Sequence, residues 1–129
     1  MAHIPDLYPP DYATTVGQVR LLIPDTEQLA NLADPTAEVA YIFDDHQITA
    51  FLAISNNSIK RAAAEAKMVL AASEALISKV IRTDDLQTDG AKLGAELRAQ
   101  ARELRAQAIE EETYDSYEEF EIVDFNRLV

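Results

Sequence analysis

SIKRAAAEAKMVLAASEALISKVIR, residues Ser58 to Arg82, contains no Gly and no Pro, and Ala and Glu fill five of its first nine positions. Both are strong helix formers. Its apolar residues fall at Ile59, Ala62, Ala63, Ala66, Val69, Leu70, Leu76, Ile77, Val80 and Ile81, with one polar lapse at Ser73. Spacings of three and four draw one stripe down a helix. Lys60, Arg61, Lys67, Glu74, Lys79 and Arg82 lie off that stripe. A helix over this stretch would be roughly 37 Å long, the spine of a small protein. Its Ala-rich first half lets a neighbour approach closely, and its Leu/Ile-rich second half needs a larger apolar partner.

Downstream, Thr83 to Asp89 is a polar connection, and a helix is predicted from Gly90 to about Glu112. Leu93, Leu97, Ala101, Leu104 and Ala108 form a stripe that matches the spine's, so the two pair as an antiparallel hairpin. Gly94 costs about 1 kcal/mol there relative to Ala unless close packing needs it. Glu110 to Glu112 sit at the unfavourable end of the helix dipole, which predicts fraying. Residues 113–129 then read as an acidic arm with strand character in FEIVDF, where Phe120 and Ile122 alternate.

Upstream, residues 1–13 hold Pro5, Pro9 and Pro10 and read as an extended arm. Thr14 or Thr15 caps a short helix, Val16 to Ile23, which Pro24 ends. Val39 to Phe43 is a short apolar run with strand character, the one candidate for pairing with the tail. Asp44 or Asp45 caps a helix in which Ile48, Phe51, Leu52 and Ile54 turn inward, and Asn56-Asn57-Ser58 breaks the chain before the spine. The expectation is a mainly α helical bundle over residues 14–112, built on a long central helix and an antiparallel partner, with extended arms and a short β pairing.

The chain's 129 residues fit one domain, and its formal charge of −12 is unevenly spread. Residues 1–57 carry a net −7, residues 58–109 a net +2, and residues 110–129 a net −7. That balance opposes nucleic-acid binding through a basic face. A basic middle between acidic ends suits head-to-tail contact between copies. There is no Cys, which removes disulfides and thiolate chemistry, and no apolar run long enough to cross a membrane. MAHIPDLYPPDY lacks the parts of a signal peptide, so synthesis inside the cell is expected.

Four groups of residues bear on chemistry or contact. Asp85, Gln87, Asp89, Gly90 and Glu96 fall at positions one, three, five, six and twelve of a calcium loop. Gln87 replaces the usual acid, Lys92 stands where an aliphatic residue is needed, and Leu93 and Leu97 ask for a helix through Glu96, so a capped turn fits better. Asp44-Asp45-His46 could be ligands or an acid/base group, but acids in a helix's first turn explain them. Arg98, Arg102 and Arg105 share one helix face and could meet phosphates, an acidic neighbour or solvent. Phe120, Ile122, Val123 and Phe125 are either a docking strand or part of the domain. No catalytic set, cofactor motif or metal site is recognised, so a non-enzyme is expected.

In order, Val16-Gly17-Gln18-Val19-Arg20-Leu21-Leu22-Ile23-Pro24-Asp25-Thr26, then Phe43-Asp44-Asp45-His46-Gln47-Ile48 with Phe51-Leu52, then Arg61-Ala62-Ala63-Ala64, and finally Asp85-Leu86-Gln87-Thr88-Asp89-Gly90 before a Leu-Arg helix, resemble the small helical head-to-tail adaptor (connector) proteins of tailed bacteriophages. The resemblance covers about residues 14–110. It implies a structural virion protein, made in the host cytoplasm and placed in the head-tail connector. Its partners would be the portal protein and the next connector or tail-completion protein. Such proteins assemble as a ring, usually of twelve, that extends the channel through which DNA passes without sequence-specific binding. They hold no catalytic residues. Arg98, Arg102 and Arg105 are then candidates for a subunit interface, and Phe120, Ile122, Val123 and Phe125 for docking on the portal or a neighbour. The alternative is a cytoplasmic acidic helical regulator that binds a basic protein.

Overall fold

The computed structural model describes residues 6–29, 39–73, 76–77 and 90–128, with side chains described as far as residue 115. The chain is mainly helical. Four helices are described: α1 (Thr15–Leu22), α2 (Asp45–Ile54), α3 (Ile59–Ala72) and α4 (Gly90–Leu128). Each of the first three starts on a side-chain cap. Thr14 accepts from the Gly17 amide, Ser58 from the Arg61 amide, and Asp44 forms a reciprocal capping box with Gln47. Between α2 and α3 the chain reverses through Asn56 and Asn57, both left-handed at φ 53° and 63°, a conformation Asn tolerates. The Asn57 amide closes the turn on the Leu52 carbonyl.

α3 lies at the centre. Ala62, Ala63, Ala64 and Ala66 are fully buried, and α1, α2 and α4 all pack on this helix. Small side chains let three neighbours approach one helix at once. The core continues through Val19, Phe43, Ile48, Leu52, Leu70, Ile77, Leu93 and Leu97. Phe51 packs edge-on against Phe43, with ring centroids 5.2 Å apart.

The expected spine from Ser58 to Arg82 is shorter in the structure. It ends at Ala72, because Ser73, the polar lapse in the stripe, adopts an extended conformation (φ −109°, ψ 112°). Its hydroxyl then accepts from the Leu76 amide and its carbonyl from the Ile77 amide, as a cap does at the start of a new helical turn. The long helix is instead α4, about 58 Å over its 39 residues.

α4 runs antiparallel to α3, as the matched stripes predict. Lys60 and Arg61 pair with Glu111 and Glu112, Glu65 with Arg105 and Lys67 with Gln100, and Gly94 lies against Ala71. Leu93, Leu97, Ala101 and Ala108 are buried and Leu104 partly so.

The C-terminal arm corrects the expectation of a strand. The backbone is helical through Leu128, so FEIVDF continues α4 and does not pair with Val39–Phe43. No Gly or Pro follows Gly94 to stop the helix, and a short apolar run does not by itself tell helix from strand. Glu110 to Glu112 are therefore mid-helix, where the dipole penalty does not act.

Among the described residues the β pairing reduces to one antiparallel bridge, Leu29 with Ala40. The next amides, of Ile42 and Phe43, donate to the Asp25 carboxylate at 2.9 and 2.8 Å in place of a ladder. Ile54, expected inside, is exposed at the end of α2.

Candidate functional site

Arg20, the lone base of residues 1–57, is 1 % exposed. Its guanidinium meets Asp25 at 3.1 Å and Asp45 at 2.7 Å, and lies 3.7 Å from the centroid of the Tyr41 ring. Every buried side-chain polar atom among the described residues has a partner, and this cluster shows how. Burial pushes the Asp25 carboxyl up, against the pull of the Phe43 and Ile42 amides and of Arg20.

The same cluster holds the N-terminal segment. Leu7 donates its amide to Asp45 and accepts from the Tyr41 hydroxyl at 2.6 Å, and Asp6 accepts from the Asp45 amide. Tyr8 lies tilted against Tyr41 and reaches Glu27. The Asp11 carbonyl passes so close to Gly17 that a Cβ there would stand 1.9 Å from its oxygen. Residues 6–12 are thus seated on their own domain. The prolines of residues 1–13 predict an extended arm, and no spacing in the sequence assigns Arg20 a role in holding it.

The Asp44-Asp45-His46 trio separates by role. Asp44 caps α2, Asp45 binds Arg20, and His46 is exposed. Among the described residues no three His, Asp or Glu side chains gather as metal ligands. Asp85, Gln87 and Asp89 lie outside the described residues, while Gly90 and Glu96 belong to the continuous helix α4.

The arginine face of α4 is divided. Arg105 is half-buried and bound to Glu65 at 2.7 Å. Arg98 and Arg102 are exposed and have no ion-pair partner among the described residues. Arg105, Glu65, Arg61 and Glu112 line an open groove of about 490 Å³ with Ile54 and the α2–α3 turn. Arg61 grips Glu112 through two bonds of 2.9 Å, and that contact holds the Glu112 carboxyl below the usual carboxylate range.

Beyond Ala108 the described side chains of α4, from Ile109 to Asp115, are all exposed. Of the four helices α4 touches only α3, whose first turn lies at Glu111 and Glu112. The rest of α4 runs past the end of α3. Phe120, Ile122, Val123 and Phe125 fall on this part of the helical backbone. On the other flank Lys67, placed off the stripe by its charge, is buried at 6 % exposure between α3 and α4. Its ammonium donates to Gln100 at 2.6 Å and has no carboxylate partner among the described residues, and burial lowers its pKa. No helix among the described residues is long and apolar enough to cross a membrane. Comparison with protein-family models, with curated proteins and with solved structures finds no match to this chain.

Proposed function

We propose that this chain is a head-to-tail adaptor of a tailed bacteriophage, a structural virion protein that forms a ring joining the portal to the tail and extending the DNA channel. The observation that carries the reading is the projection of α4. A compact body centred on α3 buries the first half of this helix, and the acidic second half runs past it. A ring subunit needs such a division, with a rigid body to stack and a separate element to reach a partner. The residues that carry the resemblance support it as well. Val16–Thr26 and Phe43–Leu52 close on each other through Arg20, Asp25 and Asp45, so these two parts of the ordered set form one packed unit. Carboxylates facing a lumen would leave passing DNA unbound, since phosphates bind cations.

The test is co-purification of the full chain with the portal protein encoded nearest to it. The adaptor reading predicts a stable complex containing multiple copies of this chain. An isolated portal ring with none of this chain attached counts against it. A second reading, an acidic helical regulator, is favoured by the −7 charge of residues 110–129. It predicts capture of a basic host protein and indifference to the portal.

A further inference from the structure

We propose that the groove face of the α3–α4 hairpin is the seat for residues 113–128 of a second copy of this chain. The face has a defined chemistry. Ile54 at the groove rim is 70 % exposed, and Ile109, four residues beyond Arg105 on the same side of α4, is 54 % exposed. Arg98 and Arg102 continue that side toward the start of the helix, exposed and without ion-pair partners among the described residues. Within the groove the charges of Arg61 and Arg105 are already matched by Glu112 and Glu65. The face therefore offers two apolar anchors and two uncompensated positive charges. An occupant must be acidic and partly apolar.

Residues 113–128, TYDSYEEFEIVDFNRL, meet that description, with five acids against Arg127 and several aromatic and aliphatic residues. They stand on a helix that has run past α3, the one helix it touches among the described residues. Held in one continuous helix, they lead away from Arg98 and Arg102 of their own chain, Leu128 lying roughly 39 Å from Arg102. The occupant is then another copy. Donor and acceptor surfaces differ, so unless two copies exchange tails reciprocally the contact is heterologous and repeats head to tail until it closes or forms a filament. This deepens the adaptor reading and rests on it for the ring alone.

Sedimentation equilibrium of the full chain, without portal, tests the contact. Up to on the order of 1 mM at low ionic strength the chain should self-associate, and added salt should weaken the association. Arg98→Glu with Arg102→Glu should weaken it by at least about tenfold, as should Glu118→Lys, Glu119→Lys and Glu121→Lys together. The two sets combined in one chain should restore it, with circular dichroism unchanged throughout. A chain that stays monomeric across that range overturns the contact. So does association that ignores either reversal, or a combined variant that fails to recover. A self-associating chain that ignores the portal would keep the contact and lose the adaptor reading, and a monomer that binds the portal would do the reverse.

Discussion

Arg20 and Asp25 form an ion pair of 3.1 Å at 1 % and 3 % exposure, five residues apart across the end of α1. An ion pair so placed gains little over an apolar pair of the same shape, but removing one partner strands the other charge. Here the pair has a second task. Asp25 also receives the amides of Ile42 and Phe43, and Arg20 also holds Asp45 at the start of α2. The cluster sets how α1, the 40–43 segment and α2 meet.

Arg20→Met should therefore destabilise by about 3–5 kcal/mol, since it leaves the Asp25 carboxylate buried without a cation. Arg20→Lys keeps the charge but loses the forked contact and the stacking on Tyr41, and should cost about 1–2 kcal/mol. Urea denaturation measures both. A loss under about 0.5 kcal/mol in the Met variant, the range of an ordinary surface change, would show that the pair is solvated.

Lys67→Met should stabilise the protein at neutral pH by about 1 kcal/mol, because a buried ammonium without a carboxylate partner is replaced by a side chain of similar length. The pH dependence has a definite sign. The folded-state pKa of Lys67 lies below its unfolded value, so between the two the unfolded chain binds more protons and stability rises with pH. The advantage of the Met variant should shrink as pH rises through that window toward 10.5. Paired melting curves from pH 7 to pH 10.5 check this, and a constant gap would show that Lys67 is not desolvated.

Much of this fold is legible locally. Thr14, Asp44 and Ser58 announce their helices because a cap acts over three residues. The Leu93 to Ala108 stripe and its antiparallel partner follow from periodicity. Ser73 misleads, because the apolar stripe continues on both sides of it while its extended conformation ends α3. The Arg20 cluster is not legible, since its members at 20, 25, 41 and 45 are joined by tertiary geometry and no spacing rule links them. Lys67 misleads because its charge argues for a surface that three packed neighbours of α3 do not leave. FEIVDF misleads because six residues fit either period, and the long helix behind them decides. The candidate interface is half legible. Arg98, Arg102 and Arg105 share a face by register, but only the structure shows that Glu65 claims Arg105.

The α3–α4 seam should respond to volume in both directions. Leu97→Ala should cost about 2–5 kcal/mol by leaving a cavity. Ala63→Leu should cost at least about 1–3 kcal/mol, because Ala63 is fully buried in a helix covered by three others. Chemical denaturation measures both, and a neutral Ala63→Leu would contradict the close packing of α3.

Gly17→Ala should lift the N-terminal segment from α1, since the new Cβ would stand 1.9 Å from the Asp11 carbonyl oxygen. Hydrogen exchange at the Leu7 and Thr14 amides should quicken while the core amides stay protected. Unchanged exchange at both would show that the crossing is looser than described.

Electron microscopy of this chain bound to its portal tests the adaptor reading most directly. The reading predicts a closed ring of copies stacked coaxially on the portal, the channel continuing through its centre and α4 leaving each body toward a neighbour. A portal with no added ring, or single copies scattered on its outer wall, would contradict it.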